Sequence, residues 1–173
     1  KALGKELFQS FMDRPGNILK VSRIYRDARL HHALPYKESL WICIRQDVEW
    51  WAENPCLYFE INPDEVHYGF CWWQPKSATM EEFRKRISAN PDAFLKIISD
   101  TEAVQPITVD AYKRPKEAPI PELAPFFAWK NHIWCVREEP ISDALFTPAL
   151  GQRVAEFFEK LIPLYEYCNQ FKV

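Results

Sequence analysis

The chain has little glycine and none of the short glycine motifs that bind nucleotides. Only 4 of its 173 residues are glycine, and the patterns G-x-x-x-x-G-K-[ST], G-x-G-x-x-G, G-x-S-x-G and H-E-x-x-H do not occur. Phosphate-binding loops and nucleophile elbows use glycine where the backbone turns sharply or approaches a ligand closely. The sequence therefore disfavours a mononucleotide-binding loop and a nucleophile elbow, without excluding an enzyme of another kind.

Long apolar runs and a strong excess of one charge are also absent. No apolar stretch approaches the 18 or so residues that a membrane helix needs, and the formal net charge is −2. Nucleic-acid-binding domains are usually strongly basic. We therefore expect neither a membrane span nor general nucleic-acid binding.

The cysteines lack the pairing that marks a disulfide framework or a zinc site. There are five of them, an odd number, and no C-x-x-C pair occurs. An H-x-x-C spacing at 132–135 has no second pair of ligands to complete a metal site. The pattern predicts buried thiols in a reducing, cytoplasmic compartment, with no metal and no cofactor. The five positions are Cys43, Cys56, Cys71, Cys135 and Cys168.

The composition and the order of segments predict one α+β domain spanning residues 1–173. Hydrophobic residues make up 47% of the chain, including Trp 7, Tyr 7 and Phe 12, which is enough for a single core. We expect a mainly antiparallel sheet of about five strands flanked by helices, with a long C-terminal helix. Helices are predicted at 1–12, 79–89, 90–99 and 147–171, and strand-like segments at 18–30, 39–46, 56–61, 66–73, 107–113 and 133–137.

Local signals place some element ends. Asn62 and Pro63 predict a tight turn between two strands. Thr79 is the expected N-cap of a helix, with Glu82 completing a capping box, and Asn90 is the expected N-cap of the next. A proline at 163 should kink or break the last helix. In each of the pairs Trp50-Trp51 and Trp72-Trp73, one ring is expected in the core.

Positive charge is concentrated between residues 20 and 37, which we call the arginine segment. Its five cations stand against the single acid Asp27, so the local charge is 5 − 1, or +4. Arginine presents a planar fork of donors that grips carboxylates and phosphates. The cations are Lys20, Arg23, Arg26, Arg29 and Lys37.

The pattern R-x-x-R-D-x-R at 23–29, followed by P-Y-K at 35–37, resembles the hallmark of an uncharacterised, mainly bacterial family filed as a domain of unknown function. This chain has Leu30 where the family usually has Phe, and the Asp-Lys step before P-Y-K is missing. The resemblance extends through the hairpin at 57–73, a Y-K-R-P segment at 112–115 and the final helix. It implies the α+β fold and a candidate site, but no reaction.

Members of that family usually carry a further helical segment with a Trp-Phe pair before this point. The chain begins at Lys1 without a methionine. We therefore expect part of the native N-terminus to be missing.

The candidate site lies on the arginine segment, and two interpretations of it stay open. In the first, converging guanidinium groups bind a small phosphorylated or carboxylated ligand. In the second, the segment is an internal salt-bridge network in a non-enzymatic structural or protein-interaction module. No catalytic residue is assigned, and His31 is the least poor candidate for proton transfer. The predicted ligand-binding residues are Arg23, Arg26, Asp27, Arg29, Tyr36 and Lys37.

Overall fold

A computed structural model describes residues 1–27, 29 and 35–170. Within this part, helices lie at the start, middle and end of the chain, and strands occupy most of the remainder. The elements are α1 (Ala2–Leu7), β1 (Asn17–Val21), β2 (Leu40–Gln46), β3 (Cys56–Ile61), β4 (Glu65–Trp72), α2 (Ser77–Ala89), α3 (Pro91–Glu102), β5 (Thr108–Ala111), α4 (Ala124–Phe127), β6 (Trp129–Pro140) and α5 (Ala149–Cys168).

The strands form one antiparallel sheet in the order β1-β2-β3-β4-β6-β5. The predicted α+β class and the long C-terminal helix are confirmed, and the described sheet has six strands where about five were expected. The predicted hairpin is confirmed as β3 and β4. The Asn62 side chain fixes its turn by accepting from the backbone N–H groups of Asp64 and Glu65, each at 2.9 Å.

The five helices of the described chain pack on one face of this sheet. Because side chains alternate along a strand, the residues Ile42, Ile44, Leu57, Phe59, Val66, Tyr68 and Phe70 share the face that is buried in the core. Each helix adds side chains to the same core, among them Leu7, Phe83, Phe94, Phe126 and Phe157. The residues of β2, β3 and β4 that point the other way form a separate cluster, in which no described helix takes part.

Two of the predicted helix features need correction. Helix α2 begins at Ser77, and its N-cap position is Lys76, so the predicted capping box at Thr79 is wrong. Thr79 is only 8% exposed, because it lies inside the helix on the buried face that also carries Phe83. Helix α5 continues past Pro163, so the break that was predicted as one of two outcomes there is wrong. The predicted cap of α3 is confirmed, since the Asn90 side chain accepts from the Ala93 N–H at 3.3 Å.

The predicted strand at 18–30 is also too long. Strand β1 ends at Val21, which pairs with Ile42. Beyond it the chain forms a short antiparallel arm, in which the Arg26 N–H donates to the Pro35 carbonyl at 2.8 Å and Tyr25 pairs with Tyr36. Ala28, Leu30 and residues 31–34, among them the candidate His31, lie outside the described residues.

All five cysteines are free and buried, as predicted. No helix in residues 1–27, 29 and 35–170 combines the length and the apolar character needed to cross a membrane.

Candidate functional site

Arg29, one of the predicted ligand-binding residues, is engaged by a carboxylate of its own segment. Its Nε lies 3.0 Å from Asp27 Oδ1, and its Nη2 lies 2.6 Å from Asp27 Oδ2. This two-point ion pair raises the pKa of the Arg29 guanidinium. The arrangement uses the planar donor edge that would otherwise grip an external carboxylate or phosphate.

Arg26 contacts both a backbone oxygen and a carboxylate. Its Nε donates to the Tyr36 carbonyl at 2.8 Å, and its Nη2 lies 3.4 Å from Glu38 Oε2. The Tyr36 ring packs on the Tyr25 ring with centroids 5.4 Å apart. Two predicted site residues, Arg26 and Tyr36, therefore make contacts that hold the arm together.

A cleft of about 760 Å³ lies between the arm and the β3–β4 turn. Three of the six predicted residues line it, and Arg23 and Arg29 are not among the lining residues. Its charged side chains are two cations and three carboxylates, so the cleft is not a positively charged pocket. The lining residues are Arg26, Asp27, Lys37, Glu38, Ser39, Asn62, Pro63 and Asp64.

A second cavity, of about 620 Å³, lies on the sheet face that the helices leave uncovered. We call it the open-face groove. Its lining is mostly apolar and aromatic, with a few charged groups at its ends. The lining residues are Lys20, Val21, Trp41, Cys43, Arg45, Trp51, Ala52, Asn54, Cys56, Tyr58, Glu60, His67, Cys71, Trp73 and Trp134.

The sheet register places these residues in rows across the strands. One row runs Arg45, Cys56, Cys71 and Trp134. A second row runs Lys20, Cys43, Tyr58, Gly69 and Val136. A third runs Trp41, Glu60, His67 and Glu138. Residues far apart in sequence therefore meet on one face because they share strand parity and register.

Four tryptophans line the groove: Trp41, Trp51, Trp73 and Trp134. The rings of Trp73 and Trp134 lie 5.6 Å apart, and Trp51 and Trp73 are 51% and 40% exposed. The Trp134 Nε1 is buried and has no hydrogen-bond partner among the described residues. The walls therefore offer flat apolar surface, and the Trp134 N–H lies buried behind it.

Trp73 is held in place by a histidine in an unusual conformation. The His132 ring centroid lies 4.6 Å from that of Trp73. Its Nδ1 lies 2.6 Å from Asp110 Oδ2, and its backbone φ is 50°, in the left-handed region that residues with a Cβ seldom adopt. The contact with Asp110 helps to keep His132, and with it the wall formed by Trp73, in position.

Three cysteines form an apolar surface inside the groove, each of them 7% exposed. A hydrogen bond with the Cys56 thiol, followed by burial, raises the pKa of Cys43 well above its ordinary value. At Cys56 the contact with Cys43 lowers the pKa, but a hydrogen bond with Cys71 and burial raise it more, so the net shift is strongly upward. Because the thiolate is the reactive form, Cys43 and Cys56 act as small apolar side chains and are poor nucleophiles.

Two cations border the groove without a carboxylate partner. Lys20 and Arg45 form no ion pair with any described residue. Arg45 Nη1 donates to the Gln46 carbonyl at 2.8 Å, and its guanidinium lies 5.9 Å from the centre of the Trp51 ring. These contacts orient the side chain and leave its charge uncompensated.

Titratable groups lie in the third row and beside it, at Tyr58 of the second row. The Tyr58 hydroxyl lies 3.2 Å from His67 Nδ1, and His67 Nε2 lies 3.9 Å from Glu60 Oε2. Burial, with a further contribution from nearby thiols and carboxylates, raises the pKa of Tyr58 far above its ordinary value. Tyr58 therefore keeps its proton and can serve as a hydrogen-bond donor.

Four residues of the groove, Arg45, Tyr58, Glu60 and His67, were not predicted as site residues from the sequence. A signal for them exists, because W-x-C-x-R at 41–45, C-x-Y-x-E at 56–60 and H-x-G-x-C at 67–71 place polar or thiol side chains at alternate positions of adjacent strands.

The two tryptophan pairs differ in their outcome. The expectation for Trp72-Trp73 is confirmed, since Trp72 is fully buried and Trp73 is exposed. For Trp50-Trp51 it is wrong, because both rings are exposed.

Comparison with known proteins identifies a family. The model of a family described as a conserved hypothetical protein, DUF2461, matches residues 5–167. No curated protein and no solved structure matches the chain.

Proposed function

We propose that this chain, which belongs to the conserved hypothetical protein family DUF2461, binds a small anionic ligand in the open-face groove. The family match confirms the resemblance to an uncharacterised family. The function therefore has to be inferred from the protein's own surfaces. The ligand would have a flat apolar body and a carboxylate or phosphate group. The tryptophans would contact the body, and Lys20 and Arg45 would hold the anionic group.

The observation that carries this proposal is the composition of the uncovered sheet face. Where one face of an antiparallel sheet meets solvent, its outward residues are usually polar. Here the face instead presents tryptophan and cysteine around a cavity of about 620 Å³. Concave, mostly apolar surfaces with a few polar groups are typical of small-molecule sites, and exposed apolar patches of this kind commonly mark binding surfaces.

The charges favour an anion in the groove over one at the arginine segment. Arg29 is already gripped by Asp27, and Arg26 lies close to Glu38. Lys20 and Arg45, in contrast, have no carboxylate partner among the described residues. A ligand anion would therefore gain charge-assisted hydrogen bonds here without displacing an internal carboxylate.

Isothermal titration calorimetry with 2-naphthoate as the probe tests the proposal. We expect binding by the parent protein, weaker binding of the matched neutral alcohol 2-naphthylmethanol, and a loss of at least about tenfold in 2-naphthoate affinity for Arg45→Met, because a charge-assisted hydrogen bond is removed. Lys160→Met makes the same charge change at an exposed position on α5, on the helical side of the sheet, and should leave the affinity unchanged.

The proposal fails if 2-naphthoate and its alcohol bind equally, or if Arg45→Met and Lys160→Met lose the same affinity. Indole N–H cross-peaks in NMR spectra report the location of the probe. The Trp51 and Trp73 signals should move on titration, because both rings line the groove and are exposed. Shifts confined to exposed Trp50 would place the probe outside the groove.

A second candidate is an anion site at the arginine segment, where Arg26 and Lys37 both line the cleft beside the β3–β4 turn. We propose to test it by thermal melting with and without phosphate. An anion site predicts that phosphate raises the melting temperature of the parent protein and that Arg26→Met abolishes this rise. A large loss of stability in buffer alone, with no phosphate effect on the parent, favours the internal salt-bridge network of an interaction module instead.

We also propose a cytoplasmic location. Five free, buried cysteines fit a reducing compartment. Fractionation of cells that produce the protein would test this, and recovery from an oxidising compartment would contradict it.

A further inference from the structure

We propose that the open-face groove selects elongated zwitterions, which carry an anionic group at one end and a cationic group at the other. This inference rests on the proposed function and adds the class of ligand. It comes from carboxylates that lie at the opposite end of the groove from Lys20 and Arg45.

Glu60 is the carboxylate that lines the groove at this end. Its side chain is 27% exposed, and the nearest basic atom, His67 Nε2, lies 3.9 Å from Oε2. That separation is too long for a hydrogen bond. Glu60 forms no ion pair with a lysine or arginine in the described part of the chain. Its oxygens therefore retain capacity to accept from a ligand.

A second carboxylate adds to the negative charge. Glu138 lies on β6 in register with His67, which in turn pairs with Glu60 on β3. Glu138 is exposed, and no ion pair to it occurs among the described residues. Both carboxylates contribute to the raised pKa of the Tyr58 hydroxyl, after the larger effect of burial. The field at this end of the groove is therefore negative.

The register gives the separation between the two charged ends. Glu60 pairs with Trp41, which lies four residues before Arg45 on β2. At roughly 3.4 Å per residue and about 4.8 Å between strands, the Cα atoms of Arg45 and Glu60 are about 14 Å apart. By the same geometry, Lys20 and Glu60 are about 12 Å apart, two strands and two residues away from each other.

This distance distinguishes classes of zwitterion. An α-amino acid carries both charges on neighbouring atoms, so it cannot reach both ends at once. A rigid flat body with charged groups at its opposite ends can do so, while its faces lie against the tryptophans and the cysteines.

Three related probes in calorimetry test the inference. They are 2-naphthoate, 2-naphthylmethylamine and the zwitterion 6-(aminomethyl)-2-naphthoate, which joins both charged groups on one ring system. We expect the zwitterion to bind about fivefold tighter than 2-naphthoate, the scale of one partly exposed ion pair. L-Phenylalanine, whose charges are adjacent, should show no comparable gain over its own anionic analogue 3-phenylpropionate.

Variants identify the groups responsible. Glu60→Gln should bring the ratio of zwitterion to 2-naphthoate affinity close to one. Glu122→Gln makes the same change at an exposed position on the helical side and should keep the parent ratio. If Glu60→Gln does not fold, as judged by circular dichroism, exposed Glu138→Gln provides the test and should lower the ratio in part.

The outcomes separate this inference from the proposed function. If 2-naphthoate binds in the groove and the zwitterion binds no tighter, the inference is overturned and the proposed function stands. The inference is overturned in the same way if Glu60→Gln and Glu122→Gln give equal ratios. If none of the probes binds, the proposed function fails and the inference fails with it.

Discussion

The free energy of unfolding should fall as the pH rises, because four buried thiols stay protonated in the folded state. Burial raises the pKa of Cys135 from 9.0 to about 12, and burial also raises that of Cys168. The pKa values of Cys43 and Cys56 also lie well above the ordinary value, because of thiol–thiol hydrogen bonds and burial. In the unfolded chain each thiol ionises near its ordinary pKa, so the folded state binds more protons above that point.

The size of the effect at pH 10 follows from the unfolded state alone. One pH unit above the ordinary value of 9.0, ionisation stabilises each unfolded thiol by about 1.4 kcal/mol. The folded-state pKa does not enter, provided that it lies well above 10. Four thiols then cost about 5–6 kcal/mol in total, which is comparable with the whole stability of many domains. Stability should be undiminished below about pH 9 and fall as the pH rises towards each folded-state pKa.

Urea unfolding under reducing conditions, at about pH 7 and about pH 10, measures this loss. Cys168→Ala provides an internal check, because it removes one ionising thiol from the helical core, where Cys168 is 1% exposed. The cavity that it leaves lowers stability at both pH values, whereas the loss between them should shrink by about 1.4 kcal/mol. A parent protein that loses less than about 1 kcal/mol would refute the reasoning. It would mean that the thiols ionise inside the fold and that the groove is hydrated around Cys43 and Cys56.

Further substitutions test how the sheet and the arginine segment are built. Gly69→Ala should cost at least about 3 kcal/mol in urea unfolding, because φ is 152° and a Cβ would lie 2.1 Å from the Cys135 carbonyl oxygen. Gly151→Ala, where the nearest atoms to an added Cβ belong to the flexible side chain of Glu6, should cost far less. Arg84→Met should cost about 3 kcal/mol, because Arg84 is 6% exposed and its guanidinium donates to two backbone carbonyls. The Tm of this variant should therefore lie clearly below that of the parent protein. Arg29→Met, at an exposed ion pair, should melt like the parent protein, and a marked fall in Tm would show that the arm stabilises the fold.

The elements that sequence reasoning predicted well are those specified by neighbouring residues. The β3–β4 hairpin depends on Asn62, whose side chain accepts from two backbone N–H groups of the turn. The start of α3 depends on Asn90 in the same way. The prediction of Thr79 as an N-cap failed, because this residue has the type of a cap but is buried in the interior. Helix start signals compete with tertiary packing, and here packing prevailed.

The end of β1 could not be predicted from its own residues. The segment after Val21 keeps an alternating pattern, but β2 begins at Leu40, and the chain continues as the separate arm in which Tyr25 pairs with Tyr36. The predicted strand at 18–30 therefore extended beyond the end of β1. The groove was missed for a related reason, because its rows join residues from separate strands and depend on register rather than on any local motif.

The two faces of the sheet have different roles, and this explains why the fold can accommodate a ligand site. The five described helices stabilise the sheet from one side, so the residues on the other side are not needed for the main core. Even so, that side contains a backbone conformation of the kind that costs about 1–3 kcal/mol, since His132 has φ of 50° and supports Trp73. An exposed tryptophan held in this way contributes little to the core, because Trp73 is 40% exposed. Its fixed orientation would instead lower the entropic cost of binding a flat ligand, which is the physical reason to look for the ligand in the open-face groove.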